Sequence, residues 1–243
     1  MNLLLRRPDR TYLVNPGDRL ETDLGIIEVP QDIAPGEHLE SHLGTAFLVT
    51  KPRMTDLFHQ LDRAGAPMVP RDIGLVLGMT GLASGDSVLD IGTGTGLLAI
   101  AMARLGIEVV TYEQDPDIAS VARENLDRSG VGEEVELRVG DATSEELPEG
   151  LDAMTLDTGD APTLVEKVPE VLIPGGTVVA YTPFVEYARE VSERAGAVGC
   201  TSIRTFETIQ RTMDFDDRGS RPSTAPVGHT GYLTVAEYVP GID

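Results

Sequence analysis

Two hydrophobic rhythms divide the chain. From residue 1 to about 50 the apolar positions come in short bursts, TYLVN, GIIEV and TAFLVT, separated by NPGD and the APGEH stretch. β-rich runs bounded by turn formers, with no helical period, predict a small β module over residues 1–55. From Asp72 the rhythm changes. SVLDI, EVVTYE, EVELRVG, DAMTLD and GTVVAYT are strand candidates, and GLLAIAMARLG, PDIASVARENLDRSG, APTLVEKVPEVL and FVEYAREVSERAG between them carry apolar residues at helical spacing. That alternation predicts an α/β domain over residues 56–243 with a mostly parallel sheet, joined to the β module by a linker near Lys51 to Pro70. Neither an internal repeat nor a low-complexity tract interrupts it.

The candidate chemistry sits at the ends of the predicted strands. In SVLDIGTGTGLLAIAMA a strand ends at Asp90, a turn holds Gly92, Gly94 and Gly96, and a helix opens at once. Glycines there let the backbone pass close to a ligand. Glu113 closes the next strand, 21 residues after Gly92 (113 − 92), where a carboxylate accepts hydrogen bonds from a ribose diol. NAD and S-adenosylmethionine (AdoMet) both present such a diol. The spacing G-T-G-T-G departs from the G-x-G-x-x-G that seats a pyrophosphate on a helix N-terminus, which favours AdoMet, a cofactor without phosphate. Asp141, in VGDA, is placed to accept from the exocyclic amino group of the cofactor's adenine; the alternative is that it caps the following segment. Asp157 ends the fourth strand, at the sheet edge where open α/β folds bind ligands, with a solvated turn carboxylate as the alternative.

Composition changes the picture in one respect. No window of this 41% hydrophobic chain is apolar for long enough to cross a bilayer, and MNLLLRRPDR lacks a signal-peptide pattern, so a cytoplasmic protein is expected. The lone Cys200 has no internal disulfide partner and is expected in the core. Forty acidic residues against 19 basic ones give a net charge of −21, and only Lys51 and Lys167 are lysines. This balance predicts a halophilic, haloarchaeal-like protein adapted to molar salt, where screening acts within about 3 Å; a merely solubilising surface is the alternative. In ordinary salt such a charge argues against a nucleic-acid partner. In molar salt repulsion is screened and counterion release shrinks, so any RNA affinity must rest on contacts and shape. Arg204, Arg211, Arg218 and Arg221 could meet phosphates, or pair with Asp214, Asp216 and Asp217. His38 and His42 flank Glu40, but the turn residues around them argue against a helix, and no metal site is expected.

The series VLDIGTGTG, YEQDP, VGDA and LD resembles class I AdoMet-dependent methyltransferases. VPRDIG, VVAYTPF and the C-terminal RPSTAPVGHTGYLTVAEYV resemble, over nearly the whole chain, tRNA (adenine-N1)-methyltransferases of the TrmI type. The resemblance implies a Rossmann-like fold, mostly parallel with an antiparallel C-terminal strand, behind the β module. It assigns AdoMet to Asp90, Gly92, Gly94, Gly96, Glu113 and Asp141, the target adenine to Asp157 and Tyr181 as catalytic residues, and substrate contacts to Arg221 and His229. It also implies tRNA as substrate, methylated in the T-loop at position 58, or 57 and 58, and a homotetramer. A hydrogen-bonding role within the protein is the alternative for His229. This chain departs from the pattern at Val69-Pro70-Arg71-Asp72, where the family has Y-P-K-D, at Ala66, where it has glutamine, and after Asp157, where a Pro-Trp pair is absent. The competing readings are a small-molecule or protein methyltransferase, and a catalytically silent RNA-binding subunit.

Overall fold

A computed structural model describes residues 2–217, 219–224 and 228–241; Arg218, among the arginines above, and Val227, in VGHTGYL, lie outside them. The first strands are β1 (Leu3–Arg6), β2 (Thr11–Val14), β3 (Arg19–Thr22), β4 (Gly25–Glu28), β5 (His38–Glu40) and β6 (Ala46–Thr50). They form an antiparallel sheet in the order β2-β1-β6-β5 and a separate β3–β4 hairpin. Leu3, Leu5, Val14, Ile27, Phe47 and Val49 fill a core between them, the strand periodicity turning alternate residues inward. His38 opens a strand, and His42 Nδ1 accepts the Ile26 amide at 2.7 Å.

The expected linker carries a helix of its own, α1 (Met54–Gln60), whose first turn is closed by Asp56 accepting the Arg53 amide at 2.8 Å. α2 (Pro70–Thr80) follows, with Pro70 at its first position and Gly81 ending it at φ 68°. These are the residue types that start and stop helices.

Five parallel strands come next: β7 (Ser87–Ile91), β8 (Glu108–Glu113), β9 (Val135–Val139), β10 (Leu151–Leu156) and β11 (Leu172–Thr182). The helices between them are α3 (Leu97–Ala103), α4 (Pro116–Ser129), α5 (Ala161–Leu164) and α6 (Val168–Val171). Beyond lie α7 (Val185–Ala197), β12 (Cys200–Glu207), the hairpin β13 (Met213–Asp216) and β14 (Gly219–Pro222), and β15 (Tyr232–Tyr238). The main sheet runs β12-β15-β11-β10-β7-β8-β9, with β15 antiparallel to both its neighbours. Neighbouring residues on one strand serve opposite cores: Val88 packs with α2 and α3, Leu89 with α5, α6 and α7. APTLVEKVPEVL does not make one helix. Pro169 cannot donate to a helical ladder, so the run breaks into α5, a 3-10 turn at Val165–Lys167, and α6. Cys200 is buried at the start of β12.

Candidate active site

Parallel strands bring their carboxyl ends to one edge, and the loops leaving β7, β8, β9 and β10 meet there around a cleft of about 300 Å³. Gly92 leaves β7 with φ 94°, and a Cβ added to it would lie 2.1 Å from the backbone oxygen of Asp157. Only glycine allows the β7 and β10 exits to run this close, and the Asp157 amide closes the pairing by donating to Ile91 O at 2.8 Å. Gly96, at φ 81°, delivers the chain into α3. Between them the Gly94 amide donates to Glu113 Oε2 at 2.9 Å, and the Asp115 amide to Glu113 Oε1 at 3.1 Å. Glu113 is therefore a fixed carboxylate on the cleft wall, with acceptor capacity beyond those two bonds.

Asp90 sits beneath the turn. Its Oδ1 accepts from Thr155 at 2.6 Å and its Oδ2 from Thr111 at 2.7 Å, and Thr111 in turn meets Thr93 at 2.6 Å. Burial is the main cause that raises its pKa to about 6. Asp90 is enclosed and does not line the cleft; its bonds to Thr155 and Thr111 tie the strand ends together beneath the glycine turn. Asp141 does line the cleft, while its Oδ1 takes the Thr143 amide and hydroxyl at 2.9 and 2.7 Å; those bonds lower its pKa. The capping arrangement weighed for it is present, and it coexists with a position on the wall.

Asp157 differs from its neighbours. Its carboxylate accepts no hydrogen bond from any described residue, and burial, followed by the nearby charges of Asp90 and Glu113, raises its pKa to about 7. Glu113, Asp141, Asp157 and Asp160 line the cleft, and among the described residues no lysine or arginine does. A cationic ligand lowers the energy of such a site, whereas a pyrophosphate raises it.

Tyr181 lies beside Asp157 in the sheet, because β10 and β11 pair Leu156 with Ala180. Both residues line a closed apolar crevice with Met68 and Leu98, too narrow to admit a water molecule. The Tyr181 hydroxyl donates to Asp72 Oδ2 at 3.1 Å, Thr230 donates to the same oxygen at 2.7 Å, and Arg71 reaches Asp72 Oδ1 at 3.3 Å and Thr230 Oγ1 at 2.8 Å. A Cβ on Gly231 would come within 2.6 Å of the Tyr181 ring, so this glycine lets the ring lie against the backbone. Burial, the largest cause, pushes the phenol up to about 12, and it stays a neutral donor. The VPRD and HTG segments are thus the two halves of one clamp on Tyr181. Asp72 and Thr230 are 158 positions apart, so no local pattern in the sequence joins the two segments.

His229 has both ring nitrogens engaged: Nε2 donates to Pro183 O at 2.9 Å, and Nδ1 lies 2.8 Å from Glu207 Oε1. These contacts raise its pKa, the Pro183 carbonyl most. Arg221 stands in β14 opposite Asp214, exposed and away from the cleft lining.

A family model described as a methyltransferase domain matches residues 88–176, the stretch that builds the cleft. The chain is 32% identical to the tRNA (adenine(57)-N(1)/adenine(58)-N(1))-methyltransferase TrmI of Methanocaldococcus jannaschii, over 98% of this chain and 95% of that protein. Among solved structures, a SAM-dependent O-methyltransferase from Thermotoga maritima superposes with a TM-score of 0.82 at 26% identity, covering 100% of this chain and 94% of the other. The tRNA (m1A58) methyltransferase TrmI of Aquifex aeolicus shares the fold, with a TM-score of 0.76 at 22% identity over 98% and 97% of the two chains. On identity across nearly its full length, the chain belongs to the TrmI family of tRNA adenine-N1 methyltransferases.

Proposed function

We propose that this protein methylates N1 of adenine in the T-loop of tRNA, at position 58 and also at 57, with AdoMet as methyl donor. The observation that carries the reading is Asp157: a carboxylate held beside the glycine turn, unpartnered among the described residues, in a cleft that four acidic and none of the described basic side chains line. AdoMet supplies a methyl group on a sulfonium cation, and a cation is what this cleft favours. Glu113 accepts the ribose hydroxyls, Asp141 the adenine amino group, and Gly92, Gly94 and Gly96 let the backbone come close.

N1 of neutral adenine already bears a lone pair, so the protein needs no strong base. Its work is to place that lone pair in line with the methyl group. As N1 takes the methyl group, positive charge spreads to N6, and Asp157, accepting from the N6 amino group, stabilises it. The adenine must leave its stack to reach this position, and Tyr181, held by Asp72 on the strand beside Asp157, is the aromatic side chain that supports it there. In this reading Arg221, exposed on the β13–β14 hairpin, meets the tRNA directly, and His229 acts through the turn it fixes. The reading extends to a cytoplasmic homotetramer working in molar salt.

The test is methylation of a tRNA transcript by the purified protein and AdoMet, followed by nucleoside analysis. Production of 1-methyladenosine that disappears when the adenines at 57 and 58 are replaced supports the proposal. Methylation of another nucleoside, or none across a KCl series to molar levels, refutes it.

A further inference from the structure

The turn that leaves β11 carries an exposed apolar cluster that the site chemistry above does not use. Phe184 is 60% exposed, Val185 52% and Tyr187 40%; the two rings are 6.0 Å apart at 75°. Phe184 and Tyr187 stand three positions apart at the start of α7, a spacing that puts them on one face. Among the described residues the only other exposed phenylalanine or tyrosine is Phe215, in the β13–β14 hairpin.

Resting on the proposed function, we infer that Phe184, with Tyr187 beside it, is the platform on which an unpaired RNA base neighbouring the target adenine stacks. Three observations lead there. The first is place: Tyr181 is level with Asp157, and Phe184 follows it by three residues, within about 10 Å at the rise of an extended chain. The pair therefore stands a short step along the chain from Tyr181, within reach of the nucleotides that flank a base extruded toward Asp157. The second is rigidity. His229 Nε2 holds the Pro183 carbonyl at 2.9 Å and its Nδ1 is held by Glu207, so the ring is presented from fixed backbone and little freedom is lost on stacking. The third is charge. At −21 the protein cannot draw RNA affinity from long-range attraction. Stacking needs no opposite charge and contributes roughly 10- to 100-fold in affinity per base.

The experiment uses the full chain and a T-arm RNA hairpin with 2-aminopurine placed in turn on each side of the target adenine. Wild type is expected to quench the fluorescence at one of the two positions; Phe184→Ala should not, and Phe184→Trp should restore it. In steady state Phe184→Ala should raise the KM for tRNA roughly 10- to 100-fold, with kcat, AdoMet affinity and the salt dependence of KM unchanged. Equal quenching by wild type and Phe184→Ala overturns the platform. So does an Ala protein that loses AdoMet affinity or melts early, which marks a structural role, or one that changes assembly mass with an unaltered KM, which marks a contact between copies of the chain. Quenching by a wild-type protein that methylates no tRNA would leave the platform standing and remove the functional reading instead.

Discussion

Replacing Asp157 by Asn should make the protein more stable and slower at once, with a pH dependence that identifies the cause. Burial and the charges of Asp90 and Glu113 raise the Asp157 pKa from 3.8 to about 7. A carboxyl that titrates near 7 when folded and near 3.8 when unfolded binds its proton more tightly in the folded state, so ionising it opposes folding. At 1.36 kcal/mol per tenfold change in acidity, the ceiling on that opposition is about 4 kcal/mol. Asp157 borders an open cleft and the protein is to be measured in molar salt, so we expect about 1–2 kcal/mol. Below pH 4 both states carry the proton and the two proteins differ little. Between about pH 4 and 7 the wild type loses more stability as pH rises than the Asn protein, in which buried Asp90 still titrates, and above 7 the gap is constant. For a chain of this size the gap at pH 8 corresponds to a Tm higher by roughly 2–8 °C in the variant. Melting without AdoMet, followed by circular dichroism at pH 4.5, 6 and 8, measures it. An Asn protein that melts below wild type at pH 8, or by the same difference at every pH, refutes the reasoning. Single-turnover methylation should meanwhile slow about 100-fold, the usual cost of one preorganised electrostatic partner.

Three further outcomes are expected. Glu113→Ala should weaken AdoMet binding by about 1.5–3 kcal/mol, since it removes a charged acceptor and frees the Gly94 amide; calorimetry reads it, and unchanged affinity would displace Glu113 from the cofactor site. Tyr181→Phe deletes the bond to the buried Asp72 while Thr230 and Arg71 still satisfy that carboxylate, so chemical denaturation should record a loss of about 1 kcal/mol; a loss above 3 kcal/mol would mean the clamp depends on the hydroxyl far more than the geometry suggests. Lowering KCl from molar levels to about 0.1 M, where charges interact across about 10 Å, should unfold the protein, and equal stability at both ends would remove the molar-salt reading.

The strand and helix rhythm was legible because its causes are local. SVLDI, EVVTYE and DAMTLD carry their periodicity within five or six residues, Pro70 and Pro116 start helices where their missing amide costs nothing, and Gly92 marks a turn that a side chain cannot make. Even there local reasoning reached its limit at APTLVEKVPEVL, whose apolar spacing suggested one helix while Pro169 allowed only two short ones. What the tertiary structure alone decided is the character of each carboxylate. Asp90, Glu113, Asp141 and Asp157 all end or follow strands in the sequence and look alike there. Asp90 is enclosed by threonines from neighbouring strands, Glu113 is tied to the glycine turn, Asp141 is held by Thr143, and Asp157 is left unpartnered in the cleft. The clamp of Asp72 and Thr230 on Tyr181, and the hold of His229 on Pro183, likewise join residues 46 to 158 positions apart. Desolvation and hydrogen bonding depend on which atoms exclude water and which stand within about 3 Å, and those are properties of packed neighbours that no local pattern encodes.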